Sequence, residues 1–311
     1  MNPYYDTTFF GFLYTFLVRA IQWISFQLKP SDLAPDELQF LVLASIGISS
    51  SLVGTFLILK KMTMLANSLS HTILLGIVLA FIFGSTEAEF QEGRLNLTLL
   101  ILAALGVGFL TAFVTEFLTK FAKLQEDAST GLVFTTFFAI GIILINVLTR
   151  NAHIGAEVVM GNVDALHKDD FWLSFFILLL NLSAFILFFK EWQITTFDPG
   201  FAKTLGFSPA FFNYFLMMLV SLTVVSAFRA VGVLMVLTFI TAPVLTAKIF
   251  SKSLSTLLFF SSSIGILVSL CGVALSRHLL TAHGLALSTG GIVVMLLGSL
   301  YLTSIAIKRW R

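Results

Sequence analysis

The chain has 311 residues, 58% of them hydrophobic and 11% charged, with a formal net charge of +2. Soluble chains run at about 45–50% apolar and about 25% charged, so this composition excludes a soluble globular domain, and the dispersed basic residues leave no footprint for nucleic acid. Length therefore counts membrane crossings, at about 20 apolar residues each, and about ten fit.

Apolar runs fall near 8–28, 39–59, 62–83, 96–115, 131–148, 171–189, 211–227, 230–250, 254–276 and 285–307. Backbone groups in lipid must be satisfied within the segment, so the runs are expected to be helices and the fold an all-α polytopic bundle of about nine to ten crossings. The opening MNPYYDTT lacks the basic start of a cleaved signal, so the first run is expected to be retained. Arg19 sits at its centre, and the run either crosses or lies at the interface. Residues 1–38 thus form an N-terminal segment with one extra helix, 39–307 the membrane domain, and 308–311 a basic cytoplasmic tail.

The third run contains LANSLSHTILLG, in which Asn67 and His71 stand four apart and share a helix face, so both could meet one small ligand. A lone histidine in a membrane helix can equally donate to a neighbouring carbonyl or to Ser68 or Ser70. Asp127, in KLQEDASTGLVF, is a cap candidate for the fifth run. Thr135 and Thr136 lie where polar groups can line a path or bond to their own helix. Between the sixth and seventh runs stands TTFDPGFAKTLGFSP. Asp198 can cap a short helix there, Pro199 fits its first position, and Gly206 can end it. Phe197, Phe201 and Leu205, four apart, would form an apolar ridge with Lys203 and Thr204 off it, which is either packed on the bundle or a docking knob for a soluble partner. Pro243 should kink the eighth run. Gly106, Gly108, Gly141, Gly232 and Gly290 are expected to permit close helix contact. His153, His167, His278 and His283 flank outer turns.

If the first run crosses from a cytoplasmic N-terminus, the inner connections hold Lys60, Lys61, Lys120, Lys123, Lys190, Lys203, Lys248, Lys252, Lys308, Arg309 and Arg311. The outer ones hold Lys29, Arg94, Arg150, Lys168, Arg229 and Arg277. Eleven against six favours both termini in the cytoplasm. The phosphate loop GxxxxGK[ST] and the HExxH and GxSxG patterns are absent, and Cys271 is the single cysteine. The chain is therefore not expected to be an enzyme, and polar residues among packed helices suggest a transport path.

Five stretches in order resemble the ABC-type permease family for manganese, zinc and iron. They are GTFLILKKMTMLANSLSHTILLG at 54–76, EDASTGLVFTTFFAIGIIL at 126–144, VVMGNVDAL at 158–166, FDPGFAKTLG at 197–206 and FRAVGVLMVLTFITAPVLTAKIFSKSL at 228–254. The resemblance implies a type II importer-like fold in a bacterial inner membrane and a pore formed by two permease subunits, alike or different. It also implies a cytoplasmic ABC ATPase that hydrolyses ATP and an extracytoplasmic metal-binding delivery protein. Membrane lipid is a further partner, nucleic acid is not, and no cofactor is bound permanently.

By the same resemblance, 198–206 is the coupling helix, with Asp198, Phe201, Lys203, Leu205 and Gly206 meeting the ATPase, and His71 and Asn67 stand at the pore metal site. The family has aspartate where Asn67 stands. An amide oxygen brings no charge, so two copies of this chain would offer the ion weak ligands. Either a second, related permease supplies the carboxylate or the pore holds its ion loosely. Manganese or iron is expected ahead of zinc, because Thr135 and Thr136 stand where a zinc-type permease can offer histidine. The alternatives are a permease for a chelate such as haem, siderophore or cobalamin, and a non-conducting membrane scaffold.

Overall fold

A computed structural model describes residues 3–5, 7–25, 33–84, 97–149 and 163–310. Among these residues there are helices and turns and no strand. The helices are α1 Phe9–Ile24, α2 Pro35–Leu59, α3 Thr63–Gly84, α4 Leu97–Phe121, α5 Glu126–Thr149 and α6 Lys168–Leu187. They continue with α7 Phe189–Phe197, α8 Pro199–Thr204, α9 Pro209–Val231, α10 Val233–Phe250, α11 Leu254–His283 and α12 Thr289–Arg309. Eight of them are long and apolar enough to cross a membrane, and α10 adds a shorter apolar helix over Met235–Phe250.

The helix ends follow local chemistry. The Ser253 hydroxyl accepts from the Thr256 amide to start α11, Ser208 does the same for α9, and Gly232 at φ +75° turns the chain from α9 into α10. Asp127 is not the cap of α5, because that helix already begins at Glu126 and places it within the first turn. The second apolar run starts earlier than its hydrophobicity indicates. Pro35 opens α2, and the buried carboxylates Asp36 and Glu37 fill its first turn, where the helix dipole favours negative charge.

Helix α2 is the hub, packed against α6, α9, α10 and α11, while α3 runs between α4 and α5. Missing side chains let these backbones approach. A methyl group added at Gly54 would lie 2.1 Å from the Ile240 carbonyl oxygen, and Gly47 faces Gly265 where α2 crosses α11. Gly108 and Gly141 also meet neighbouring helices closely, whereas Gly106 has open space around it, and Gly232 serves the turn. Helix α10 continues through Pro243 to Phe250. Thr241 and Thr246 donate to the carbonyls of Leu237 and Ala242, one turn back in each case.

One end of the bundle gathers the starts of α2, α6, α10 and α12 and the end of α11. There Arg277 pairs with Asp36, and Asp164 accepts from Thr289 at 2.6 Å and from Gln39 at 3.1 Å. The opposite end carries α7 and α8 together with Lys60, Lys61, Lys120, Lys123, Lys248 and Lys252. These two ends define the route along which any site must be placed.

Candidate functional site

His71 sits eight residues into the 22-residue α3, close to mid-depth. Its ring lies 4.7 Å from Phe134 and 5.4 Å from Phe138 of α5, measured between centroids, and its buried Nδ1 has no hydrogen-bond partner. The neighbouring polar side chains take the other faces of the helix. Ser68, Ser70 and Thr72 are fully buried, with Ser70 donating to the Ala66 carbonyl and Ser68 to that of Thr130. Asn67 and His71 are only half-buried, in line with exposed Met64, so their shared face reaches the surface of the protomer in the middle of its span. Two aromatic rings hold the imidazole while leaving part of the stripe uncovered. Thr135 and Thr136 do not extend it, since both hydroxyls donate to carbonyls of their own helix, at Gly131 and Leu132.

At the basic end, Asp198 accepts from the Phe201 amide at 2.9 Å and Pro199 opens α8. Leu205 closes the helix, and Gly206 at φ +86° turns the chain away. Ala202 is fully buried beneath, so the helix is seated by its small residue. The ridge expected from Phe197, Phe201 and Leu205 stands proud, 61%, 52% and 49% exposed, beside exposed Lys203. The ridge is thus not packed onto the bundle, and it stands exposed at the end of the molecule with a basic neighbour.

Behind this ridge lies a group that hydrophobic periodicity does not reveal. Trp192 of α7 is fully buried among Phe56, Phe185, Phe212 and Phe215, with ring centroids 5.2–5.7 Å away. Lys60, first residue after α2, lies over that indole at 5.9 Å and donates to Asn213 of α9 at 2.7 Å. Burial pushes the Lys60 ammonium down to about 8. Lys60 and Lys61 read in sequence as loop cations, and only the packing separates the half-buried one from its exposed neighbour. A cavity of about 190 Å³ opens beside them between α3, α4 and α9, lined by Leu65, Glu116, Lys120, Asn213 and Met217. At the other end a polar recess of about 450 Å³ is lined by Asp36, Gln39, Asp164, Arg277 and Thr289.

Asn181 is a second feature missed in the sequence. It is fully buried in mid-bundle, donates to Ser49 and to Thr223 at 2.7 Å, and ties α6 to α2 and α9. Of the outer histidines, His278 and His283 sit 6.3 Å apart ring to ring, and His153 lies outside the described residues. Among the described residues no three histidine, cysteine or carboxylate side chains converge as a metal cage.

A family model decides the class: the ABC 3 transport family matches residues 38–308. The chain belongs to the ABC 3 transport family. This permease is 40% identical over 306 residues to a protein of Chlamydia muridarum named "Probable metal transport system membrane protein", covering 98% of this chain and 94% of that one. It is 30% identical over 257 residues to the manganese transport system membrane protein MntC of Listeria innocua, covering 83% and 87%. With the manganese transport system membrane protein MntD of Bacillus subtilis it shares 35% identity over 241 residues, covering 73% and 78%. PsaBC from Streptococcus pneumoniae, solved with a Fab, superposes with a TM-score of 0.75 at 26% identity, covering 88% of this chain and 92% of that one. The ABC 3 permease is thus a multi-pass membrane component of a metal transport system, as its five ordered motifs imply.

Proposed function

We propose that this permease forms half of an ATP-driven importer of a divalent transition metal, with manganese ahead of iron and zinc, in the inner membrane of a bacterium. The observation that carries the reading is the Asn67–His71 stripe, polar, at mid-depth and only partly covered by its own chain. Polar groups at that depth are costly against lipid and face a partner or a water-filled path. A second permease subunit laid against this face completes the path. An amide oxygen suits manganese while imidazole suits iron and zinc alike, and the names of the Listeria and Bacillus relatives favour manganese. Thr135 and Thr136, whose hydroxyls bond to their own helix, offer no imidazole of the kind a zinc-type permease can place there.

Asn67 supplies no charge, so a partner permease that keeps a carboxylate at the equivalent place best neutralises the ion. The lysine-rich end carrying α8 faces the cytosol. There the ABC ATPase receives Phe197, Phe201 and Leu205, with Asp198 and Gly206 fixing the ends of the lever and Lys203 steering it. The recess around Asp36, Asp164 and Arg277 faces the delivery protein. ATP binding closes the ATPase pair, α8 moves with it, and α7, wedged by Trp192, passes the motion to α2 and α9.

The test is uptake by vesicles holding this permease, its ATPase and its delivery protein, with and without a second permease chain. Manganese accumulation that needs ATP and the delivery protein is expected, and it should fall to background when the second permease is left out. Equal uptake with this permease alone would defeat the mixed pore, and no uptake of any metal with all four components would defeat the import reading.

A further inference from the structure

Helix α1 is expected from sequence either to cross or to lie at the interface, and its contacts separate the two. It is 16 residues long, which at about 1.5 Å per residue gives about 24 Å against a hydrocarbon core of about 30 Å. Arg19, late in α1, forms a bidentate pair with Glu37, Nη2 reaching Oε2 at 3.2 Å. The Tyr4 hydroxyl, on the other flank of α1, donates to the same carboxylate at 2.8 Å, and its ring packs on Phe12 at 4.6 Å. The Ala34 amide completes the set at 3.0 Å. Glu37 belongs to the first turn of α2, so the residues before α1 and the last third of α1 both sit at one end of the bundle. A crossing helix would hold them at opposite ends.

The outward face of α1 is the second observation. Phe10, Tyr14, Leu17 and Ile21 repeat at helical spacing and are 79%, 72%, 62% and 64% exposed. The one charged residue of the helix, Arg19, is turned inward onto Glu37. The exposed stripe therefore carries no charge. Helix α1 packs on α11, which also exposes apolar side chains such as Leu267 and Leu280. Such a face fits the headgroup–acyl boundary of a bilayer.

We propose that α1 is a non-crossing membrane-surface helix at the outer leaflet, immersed in lipid through Phe10, Tyr14, Leu17 and Ile21 and locked to α2 by the Tyr4–Arg19–Glu37 cluster. The N-terminus then lies outside and the C-terminus inside, in place of two cytoplasmic termini. No basic residue precedes Arg19, so moving the N-terminus adds only Arg19 to the outer set, and the charge bias, now eleven to seven, keeps its direction. The side assigned to α1 rests on the cytosolic placing of α8, and the experiment keeps the two apart.

In a Cys271→Ser background, Pro3→Cys and Lys308→Cys are made singly in the full complex and treated in intact cells with a membrane-impermeant maleimide. Labelling of Pro3→Cys without permeabilisation, and of Lys308→Cys only after it, is the expected result. Both labelled from one side would show that α1 crosses and overturn the proposal. Opposite sides with the pattern inverted would keep α1 at the surface but overturn the cytosolic placing of α8. A spin label at Tyr14→Cys in reconstituted bilayers should collide freely with oxygen and poorly with a water-soluble nickel chelate. Shielding from both would mean that a second protein chain, not lipid, covers the stripe, and preferential collision with nickel would mean water; either result overturns the lipid contact.

Discussion

His71 and Lys60 show how the same bundle treats two titratable side chains. The imidazole is clasped by Phe134 and Phe138 with part of its face open, and the ammonium is covered by Trp192 and bonded to Asn213. Lys60 has a folded-state value near 8 against an ordinary 10.5, because burial disfavours its charge. The neutral form is favoured on folding, so the burial cost is present in full below about 8 and is relieved as pH climbs toward 10.5. The melting temperature in detergent of Lys60→Met, compared with the parent between pH 7 and pH 10, should show a gap that shifts in favour of the parent as pH rises. A gap independent of pH would mean that Lys60 is solvated. Tyr4 is the converse case: burial, together with its bond to Glu37, keeps the phenol protonated far above its usual range. The Lys60 environment is not legible in the sequence, because Asn213 and Trp192 stand more than a hundred residues away and only the packed bundle joins them.

At the scale of helices, legibility follows the range of the interactions. Helix α8 is readable from its own residues because Asp198, Pro199 and Gly206 act within one turn of themselves. Helix α1 is not, since it is held by Glu37, eighteen residues beyond Arg19. Glycine contacts behave in the same way: Gly106 and Gly108 look alike in sequence, and only the second meets a neighbour, Ser221. Two expectations belong here. Gly54→Ala places a methyl group against the Ile240 carbonyl and should cost about 1–3 kcal/mol, read as a lowered melting temperature, whereas Gly106→Ala should change nothing measurable. Phe201→Ala with Leu205→Ala removes the exposed ridge of α8 and should weaken capture of the ATPase by about tenfold or more, as hot-spot apolar side chains do, with the permease still folded. Unchanged capture would move the ATPase contact elsewhere.

For the whole molecule, the all-helical membrane bundle follows from composition alone, because lipid leaves the backbone no other way to satisfy itself. The order of crossings and the basic end follow from apolar runs and charge. The polar fastening of the other end does not: Asp36 with Arg277, and Asp164 with Gln39 and Thr289, join segments up to 241 residues apart. Arg277→Met removes the guanidinium from a buried carboxylate and should cost about 3–5 kcal/mol, seen as loss of folded protein at moderate temperature. The candidate path is legible as two residues on one face, Asn67 and His71, but their openness to a partner is a property of the folded protomer. Transport and ATP turnover, measured together in vesicles for the parent and for His71→Ala, test that path most directly. Manganese uptake should fall by about tenfold or more, the scale on which losing a metal ligand or its support acts, while ATP turnover stays within about twofold. Undiminished uptake by the alanine variant would remove His71, and with it the proposed route, from the transport mechanism.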